Sequence, residues 1–289
     1  MTKVFTERRW TSRDGIALYA RDYTGADAAA GLPVICLHGL TRNSKDFDVL
    51  APRIAALGRQ VLVPDVRGRG QSAWDPRPAR YNPRTYARDV LGMMDQLDIP
   101  SAVFIGTSMG GLITMMVAAM RSKAVAAVIL NDVGPAIAPE GVARILNYAG
   151  KGGSIDSWDD AVAYLRTTTG IAFPDFADED WRRLAERTFR DREGRPEFDY
   201  DPAIAAPLRK PGKAVELMAW LLFRRLARRR PAMLIRGGLS DILSADIAKR
   251  MRKAAPAMHE VVVPGVGHAP TLDEPEAVDA IAQFLRTVP

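Results

Sequence analysis

The hydrophobic positions of this chain form short continuous runs that alternate with amphipathic stretches. Short apolar runs are typical of strands buried on both faces, and they occur at residues 34–37, 61–63, 103–105, 124–130, 233–236 and 261–263. Between these runs, apolar residues recur every three or four positions, which predicts helices that each bury one face. Because strands and helices alternate, the chain is expected to form a mostly parallel, doubly wound sheet with helices on both faces, an α/β fold.

The pattern differs at the start of the chain and in its second half. Residues 4–12 and 16–24 are typical of two strands, and Asp14-Gly15 between them favours a hairpin turn. Residues 134–230 contain helical patterns but no convincing strand. We therefore predict an α/β core made from residues 1–133 and 231–289. A helical cap, called here the cap segment (residues 134–230), is inserted after the sixth strand.

One of the apolar runs leads directly into the sequence Gly-Thr-Ser-Met-Gly, residues 106–110, and then into an apolar helical stretch. This order predicts a strand, a sharp bend at Ser108 and a buried helix. Glycines two positions before and after Ser108 remove the Cβ atoms that would clash where strand and helix meet. The bend exposes the serine hydroxyl, and the free N–H groups of the helix N-terminus point towards whatever the hydroxyl attacks. Ser108 is therefore the candidate nucleophile.

Composition and charge limit the classes of partner that we expect the protein to bind. The 289 residues include 40 lysines and arginines and 34 aspartates and glutamates, a formal net charge of +6. The cations are spread along the chain, and the basic run at 224–230 suits a solvated helix end, so we expect no nucleic-acid partner. No apolar run is long enough to span a membrane, and no secretory signal is visible. We therefore expect a cytoplasmic protein without a membrane partner, and a single cysteine, Cys36, fits a reducing compartment. The sequence leaves the oligomeric state open.

A serine hydroxyl needs a base, and the base needs a group that orients it. Among the three histidines, His268 follows a predicted strand in a glycine-rich loop, at the sheet edge where active-site loops gather, and it is the best candidate base. Two aspartates that follow strands lie between the serine and the histidine, the order typical of such sites. We favour Asp241, because its loop comes next in sequence to the strand of the histidine. Asp132, just before the cap segment, is the rival.

Acyl transfer also needs donors for the negative charge that develops on the substrate oxygen. The backbone N–H of Met109, directly after the nucleophile, is one candidate. The N–H of Leu40, in the loop after residues 34–37, is the other, and Gly39 beside it permits close backbone approach. The three histidines and one cysteine are not spaced as metal ligands, so we expect neither a metal nor a cofactor.

Several short motifs resemble those of the α/β-hydrolase fold superfamily, over essentially the whole chain. They are His38-Gly39, the sequence Asp-x-Arg-Gly-x-Gly-x-Ser at 65–72, and the segments 106–111, 131–135, 240–241 and 267–268. The resemblance implies a structural role for residues 65–72 and a helical cap over the site. It also implies a triad of Ser108, Asp241 and His268, with an oxyanion hole formed by Leu40 and Met109.

Serine at the bend indicates acyl chemistry, since the superfamily members that alkylate a carboxylate, haloalkane dehalogenases and epoxide hydrolases, have aspartate there. We expect a carboxylic ester hydrolase that acts through an acyl-enzyme on a small or medium ester or lactone. Carbon–carbon bond hydrolases of ring-cleavage products use the same triad but often have tryptophan after the histidine, where this chain has Ala269. Enol-lactone hydrolases are a further alternative. Outside the enzymes, the alternative is a ligand-binding member with a silent triad.

Overall fold

The computed structural model describes residues 4–24, 31–151, 153–208 and 212–289. The strands are β1 (Thr6–Thr11), β2 (Ala17–Tyr23), β3 (Val34–Leu37), β4 (Val61–Asp65), β5 (Ala102–Thr107), β6 (Val125–Asn131), β7 (Phe189–Arg192), β8 (Arg195–Phe198), β9 (Ala232–Gly237) and β10 (His259–Val263). The α-helices are α1 (Leu50–Ala55), α2 (Pro83–Gln96), α3 (Met109–Met120), α4 (Pro139–Tyr148), α5 (Trp158–Thr169), α6 (Asp178–Thr188), α7 (Lys213–Ala227), α8 (Ala245–Ala254) and α9 (Pro275–Thr287). No helix in these ranges is both long enough and apolar enough to cross a membrane.

Eight of the described strands form one sheet in the order β1-β2-β4-β3-β5-β6-β9-β10. β1 pairs antiparallel with β2 through the hairpin predicted at Asp14-Gly15, and β2 pairs antiparallel with β4. From β4 onward in this order, every neighbouring pair is parallel. This confirms the predicted α/β fold. The carboxyl ends of the parallel strands meet at one edge, so the loops that follow them lie together.

Helices cover both faces of the sheet because the parallel strands bury side chains on both sides. Phe104 of β5 lies in one hydrophobic cluster with Ile113 of α3 and Met251 of α8. The next residue, Ile105, lies in a second cluster with Ile54 of α1, and this cluster also contains side chains of α9. Adjacent residues of one strand therefore face opposite sides of the sheet, as a doubly wound fold requires.

The cap segment contains one feature that the hydrophobic pattern does not predict. β7 and β8 form a short antiparallel hairpin directly after α6, so the prediction of a cap segment without strands is wrong at this point. Each strand has four residues and is rich in charged side chains, which hides the apolar alternation. Glu193-Gly194 at the bend, both with positive φ, is the turn signal that identifies the hairpin. The ring centroids of Phe189 and Phe198 lie 5.0 Å apart across the two strands.

The elements between β6 and β9 pack in two different places. α5, α6 and the β7–β8 hairpin share a hydrophobic cluster of their own, which includes Leu165, Trp181 and Phe189. α7 instead packs against α3, and its buried Phe223 and Leu226 join the cluster of the sheet. The limits of the cap segment stay a prediction, but α7 belongs to the core by its packing.

The loop after β4 connects the core to the residues that follow β8. The N–H of Gly70 donates to the carbonyl of Asp199 at 2.9 Å, and the N–H of Asp201 donates to the carbonyl of Gly68 at 2.8 Å. Asp65 is buried below this loop and accepts hydrogen bonds from two backbone N–H groups. Burial raises the pKa of Asp65 to about 6. These are structural contacts, in line with the role that the resemblance implies for residues 65–72.

Candidate active site

Ser108 lies at the bend between β5 and α3, with φ of 51° and ψ of −114°. A positive φ is unfavourable for a residue with a side chain, so the surrounding structure must enforce it. The N–H of Ser108 donates to the carbonyl of Asn131 at 3.0 Å. A Cβ built on Gly106 would lie 2.5 Å from the backbone of α3, and one on Gly110 would lie 2.1 Å from the carbonyl oxygen of Leu37. The bend therefore needs glycine at both positions.

His268, in the loop after β10, lies between Ser108 and a carboxylate. Its Nε2 is 2.9 Å from Oγ of Ser108, and its Nδ1 is 2.7 Å from Oδ2 of Asp132. A carboxylate has no proton to donate, so in this contact Nδ1 of the imidazole is the donor. With the proton on Nδ1, the lone pair of Nε2 faces the serine hydroxyl. This arrangement gives the imidazole the orientation of a general base.

Asp132 follows β6 directly and is fully buried. Its Oδ1 accepts the N–H of Gly237 at 2.9 Å, and its Oδ2 accepts the hydroxyl of Ser240 at 2.5 Å in addition to the imidazole. Its φ of 51° turns the backbone sharply at the end of the strand. These three hydrogen bonds hold the buried carboxylate of Asp132 in a fixed orientation.

The structure does not bring Asp241 to His268, contrary to the prediction. The carboxylate of Asp241 accepts hydrogen bonds from Arg144 of α4, with Nε at 2.6 Å and Nη2 at 2.8 Å. About a quarter of the Asp241 side chain is exposed, at 23%. Burial alone would raise the pKa of Asp241, but the hydrogen bonds and charge of Arg144 lower it below its usual value.

The physical reason lies in the order of strands in the sheet. Closeness in sequence favours Asp241, but β6 lies between β5, which ends at the nucleophile, and β9. The histidine loop after β10 must pass the end of β6 to reach Ser108, and Asp132 sits there. A Cβ built on Gly237 would lie 2.3 Å from the carbonyl oxygen of Gly267, which shows how closely this loop approaches the end of β9.

Of the two residues predicted for the oxyanion hole, Leu40 lies in the loop after β3 and Met109 begins α3, directly after Ser108. His38 is fully buried; its Nδ1 donates to the carbonyl of Gly39 at 2.8 Å, and its Nε2 accepts the N–H of Val66 at 3.0 Å. Burial lowers the pKa of His38 to about 4, which keeps the ring neutral. The carbonyl of Leu40 accepts Nε of the buried Arg69 at 2.9 Å. The Gly39–Leu40 peptide, which carries the N–H of Leu40, is held through the carbonyl of Gly39, and Arg69 holds the next peptide through the carbonyl of Leu40. The first N–H groups of a helix such as α3, which begins at Met109, have no partner within the helix.

Two residues that sequence reasoning left without a role position this site. Nδ2 of Asn131 donates to the carbonyl of Pro270 at 2.8 Å and to Oγ1 of Thr107 at 3.0 Å, so it joins the histidine loop to the strand before Ser108. Ser240 donates to Asp132 and accepts the N–H of Leu243 at 2.9 Å. In the sequence, each of these residues is next to a candidate acid. A polar residue near a strand end can also simply cap a turn, so its position alone does not predict that it orients the site.

A cavity of about 140 Å³ opens at Ser108 and His268. Its floor comes from the loops after β3, β5 and β10, and its walls come from the cap segment. The wall residues on α4 are Arg144, Ile145 and Tyr148, and those on α5 and α6 include Leu165, Thr168, Leu184 and Arg187. Both apolar and polar side chains line the space, a composition typical of a site for a small organic ligand. The cap segment therefore contributes the walls of the site.

No three side chains among histidine, cysteine, aspartate and glutamate cluster as a metal site in the part of the chain that the structure describes. Cys36 is buried in β3 with its pKa raised by burial, so its thiol is not a ligand or nucleophile. The expectation that the chain uses no cofactor stays a prediction.

Comparison with known proteins identifies the family. The family model described as the alpha/beta hydrolase fold matches residues 33–275. The chain belongs to the α/β-hydrolase fold family. A 3-hydroxybutyrate-oligomer hydrolase of Cupriavidus necator is 34% identical over 266 residues, 89% of each chain. The crystal structure of an α/β hydrolase from Novosphingobium aromaticivorans has a TM-score of 0.91 and 41% identity, and the match covers 99% of each chain.

A more distant relative is the 2-(acetamidomethylene)succinate hydrolase of Mesorhizobium japonicum, which is 25% identical and matches 90% of each chain. These relatives are hydrolases of small molecules that share the α/β-hydrolase fold. The chain is accordingly an enzyme of this superfamily, a hydrolase with a small-molecule substrate.

Proposed function

We propose that the protein hydrolyses a carboxylic ester through an acyl-enzyme, with Ser108 as nucleophile, His268 as general base and Asp132 as the acid that orients it. The observation that supports this best is the position of the imidazole, 2.9 Å from the hydroxyl of Ser108 and 2.7 Å from the carboxylate of Asp132. A serine hydroxyl reacts with an ester only when such a base removes its proton.

The hydrolysis then runs in two halves. As Oγ of Ser108 attacks the ester carbonyl, Nε2 of His268 takes its proton, and Asp132 stabilises the imidazolium that forms. The imidazolium returns the proton to the departing alcohol, which leaves an acyl group on Ser108. Water attacks this acyl group with His268 again as base, the carboxylic acid departs, and Ser108 regains its proton. The net reaction is ester plus water to acid plus alcohol.

The negative charge on the carbonyl oxygen needs donors in both halves. The N–H groups of Met109 and Leu40 are our candidates, because Met109 begins α3 directly after the nucleophile and Leu40 lies in the loop beside it. A Cβ built on Gly39 would lie 3.9 Å from Cβ of Ser108, so the backbone before Leu40 passes close to the nucleophile. The buried contacts of His38 and Arg69 keep this peptide preorganised.

The size of the cavity and the relatives suggest a small or medium ester. The relative from Cupriavidus necator is named for oligomers of 3-hydroxybutyrate, whose units are joined by ester bonds. An ester of a short hydroxy acid fits a cavity of about 140 Å³ with a mixed polar and apolar lining. We take this class as the leading substrate and an aryl ester such as p-nitrophenyl butyrate as the assay substrate.

The test compares wild type with Ser108→Ala, and with Ser101→Ala as a matched control. Ser101 precedes β5 and Ser108 follows it, so the two serines lie at opposite ends of one strand. We expect kcat on p-nitrophenyl butyrate to fall by at least about 10⁴-fold in Ser108→Ala and to stay near wild type in Ser101→Ala. A fluorophosphonate should add one adduct to wild type, at Ser108 by peptide mass, and none to the variant. Equal rates in wild type and Ser108→Ala would refute the proposal.

A further inference from the structure

The charged side chains that line the cavity are unbalanced in sign. Among the described residues they include three guanidinium groups, those of Arg42, Arg144 and Arg187, and one carboxylate, that of Asp46. Asp241 and Asp273 pair with Arg144 and Arg187, but neither of these carboxylates lines the cavity. The lining therefore carries an excess of positive charge, while the carboxylates of Asp241 and Asp273 lie outside it.

Arg42 and Arg144 differ in the N–H groups that they leave free. Arg42 is occupied by Asp46 through Nε and Nη2, and its Nη1 donates to Thr188. Arg144 gives Nε and Nη2 to Asp241 in a bidentate pair, and within the described residues its Nη1 has no hydrogen-bond partner. Asp241 thus fixes one edge of a planar guanidinium and leaves other N–H donors for a ligand.

Arg144 lines the cavity together with Ser108 and His268, and its cation is stabilised there. Burial acts to lower its pKa, but the hydrogen bonds and charge of Asp241, together with the charge of Asp132, raise it. Because Arg144 lines the same cavity as Ser108 and His268, an anion bound to Arg144 would lie in the space that holds the ester being cleaved. Arg187 instead pairs with Asp273, which lies in the same loop as His268, at 2.6 Å.

Building on the proposed function, we propose that the ester substrate carries a free carboxylate and that Arg144 binds it through its unoccupied N–H groups. The substrate class is then an ester of a hydroxy acid whose acid end is ionised. Such a group loses its hydration when it enters the cavity, and a preoriented guanidinium replaces that hydration with charge-assisted hydrogen bonds. The neutral ester end is left to reach Ser108.

The experiment uses two substrates that share one scissile bond, 3-acetoxybutanoate and its carboxamide, 3-acetoxybutanamide. Both release acetate, which is measured directly, and they differ only in the charge of the group that Arg144 is proposed to bind. The quantity compared is the ratio of kcat/KM for the acid to that for the carboxamide. For wild type we expect a ratio of about 10 to 100, the effect of one charge-assisted hydrogen-bonded contact.

Arg144→Met should reduce this ratio by about 10- to 100-fold, mainly through a higher KM for the acid. The matched control is Arg166→Met, because Arg166 also lies in the cap segment and pairs with an aspartate, Asp178, but is absent from the cavity lining. It should leave the ratio at the wild-type value. Asp241→Asn keeps the cation and removes its counter-charge, so it should keep or raise the ratio, and it serves as the second test if Arg144→Met folds poorly.

The outcomes separate this inference from the proposed function. If p-nitrophenyl butyrate is not hydrolysed, or is hydrolysed equally by Ser108→Ala, the proposed function fails. If both acetoxy substrates are cleaved through Ser108 but the ratio is near one, or is unaffected by Arg144→Met, the carboxylate inference is overturned and the esterase proposal stands. A fall of the ratio in Arg187→Met without one in Arg144→Met would also overturn the assignment to Arg144.

Discussion

The loops after β6 and β9 begin at neighbouring parallel strands, and each contains an aspartate, but the two carboxylates have different surroundings. Asp132 is fully buried and accepts hydrogen bonds from a backbone N–H, a hydroxyl and the imidazole of His268. Asp241 is partly exposed and pairs with Arg144 of α4. The first is equipped to orient a base, and the second to hold a cation at the cavity wall.

The difference teaches that a position at a strand end does not by itself define a role. Asp132 follows its strand without an intervening residue, so the rigid sheet fixes where its side chain lies. Asp241 comes four positions after the end of β9 at Gly237, and a side chain from the cap segment pairs with it. The same residue type acquires its proposed function from the donors that the tertiary structure places around it.

Replacing Asp132 tests the comparison most strongly. Asp132→Asn keeps the size of the side chain but offers an amide where the imidazole needs an acceptor, so His268 loses the orienting hydrogen bond. We expect kcat on p-nitrophenyl butyrate to fall by about 10³- to 10⁴-fold with little change in KM. Circular dichroism and thermal unfolding establish that the variant is folded. Near-normal activity in this variant would mean that Asp132 is not the orienting acid.

His38, directly after β3, is buried like Asp132, and its burial predicts that stability depends on pH. His38 has a pKa of about 4 in the folded protein, below its usual value of 6.5, so the unfolded chain binds a proton between these pH values and the folded chain does not. Stability from this group is complete above pH 6.5 and is lost as pH falls towards 4. The loss amounts to about 2 to 3 kcal/mol at pH 4.5 relative to pH 7.

Denaturant unfolding of wild type and His38→Gln at pH 7 and pH 4.5 measures this effect, since glutamine has no titration in that range. The drop in unfolding free energy between the two pH values should be smaller in the variant by about 2 to 3 kcal/mol. An identical drop in both proteins would show that His38 does not titrate as its burial implies.

Ser240 sharpens the comparison because it belongs to the Asp241 loop but donates to Asp132. Ser240→Ala removes the hydrogen bond at 2.5 Å and leaves Asp132 with the N–H of Gly237 and the imidazole. We expect kcat to fall by about tenfold, which corresponds to one hydrogen bond to a charged group. The control is Ser122→Ala, because the hydroxyl of Ser122 also accepts a charged hydrogen bond, from Arg230, but belongs to neither aspartate loop. A fall as large as that of Asp132→Asn would indicate that the whole loop is displaced.

Asp241→Asn should give the smallest effect on a neutral ester. Because Asp241 touches Arg144 and not His268, we expect kcat on p-nitrophenyl butyrate to fall by a few-fold at most. The measurement is made beside Asp132→Asn on the same substrate. If Asp241→Asn instead loses about 10³-fold or more while Asp132→Asn stays active, the roles of the two aspartates are reversed.

Much of the fold follows from the sequence because its signals are local. The glycines around Ser108 are needed by a strand–helix bend that neighbouring residues build, and the apolar runs record strands buried on both faces. The hydrophobic pattern does not predict the β7–β8 hairpin, because its charged strands lack apolar alternation. Only the turn between the strands indicates a hairpin. Local pattern therefore predicts an element well where burial determines the residue types and poorly where the element is mostly exposed.

The sequence by itself determined the α/β fold and the bend at Ser108, and it singled out His268 among three histidines as the candidate base, which the structure places 2.9 Å from the Ser108 hydroxyl. Which aspartate meets the imidazole was decided only by the tertiary structure, because the order of strands puts β6 between β5 and β9. The same holds for Arg144, whose place at the cavity wall depends on how α4 crosses the ends of the strands. Periodicity along one chain fixes which residues are buried, while contacts between distant segments depend on sheet order and loop paths that no local pattern encodes.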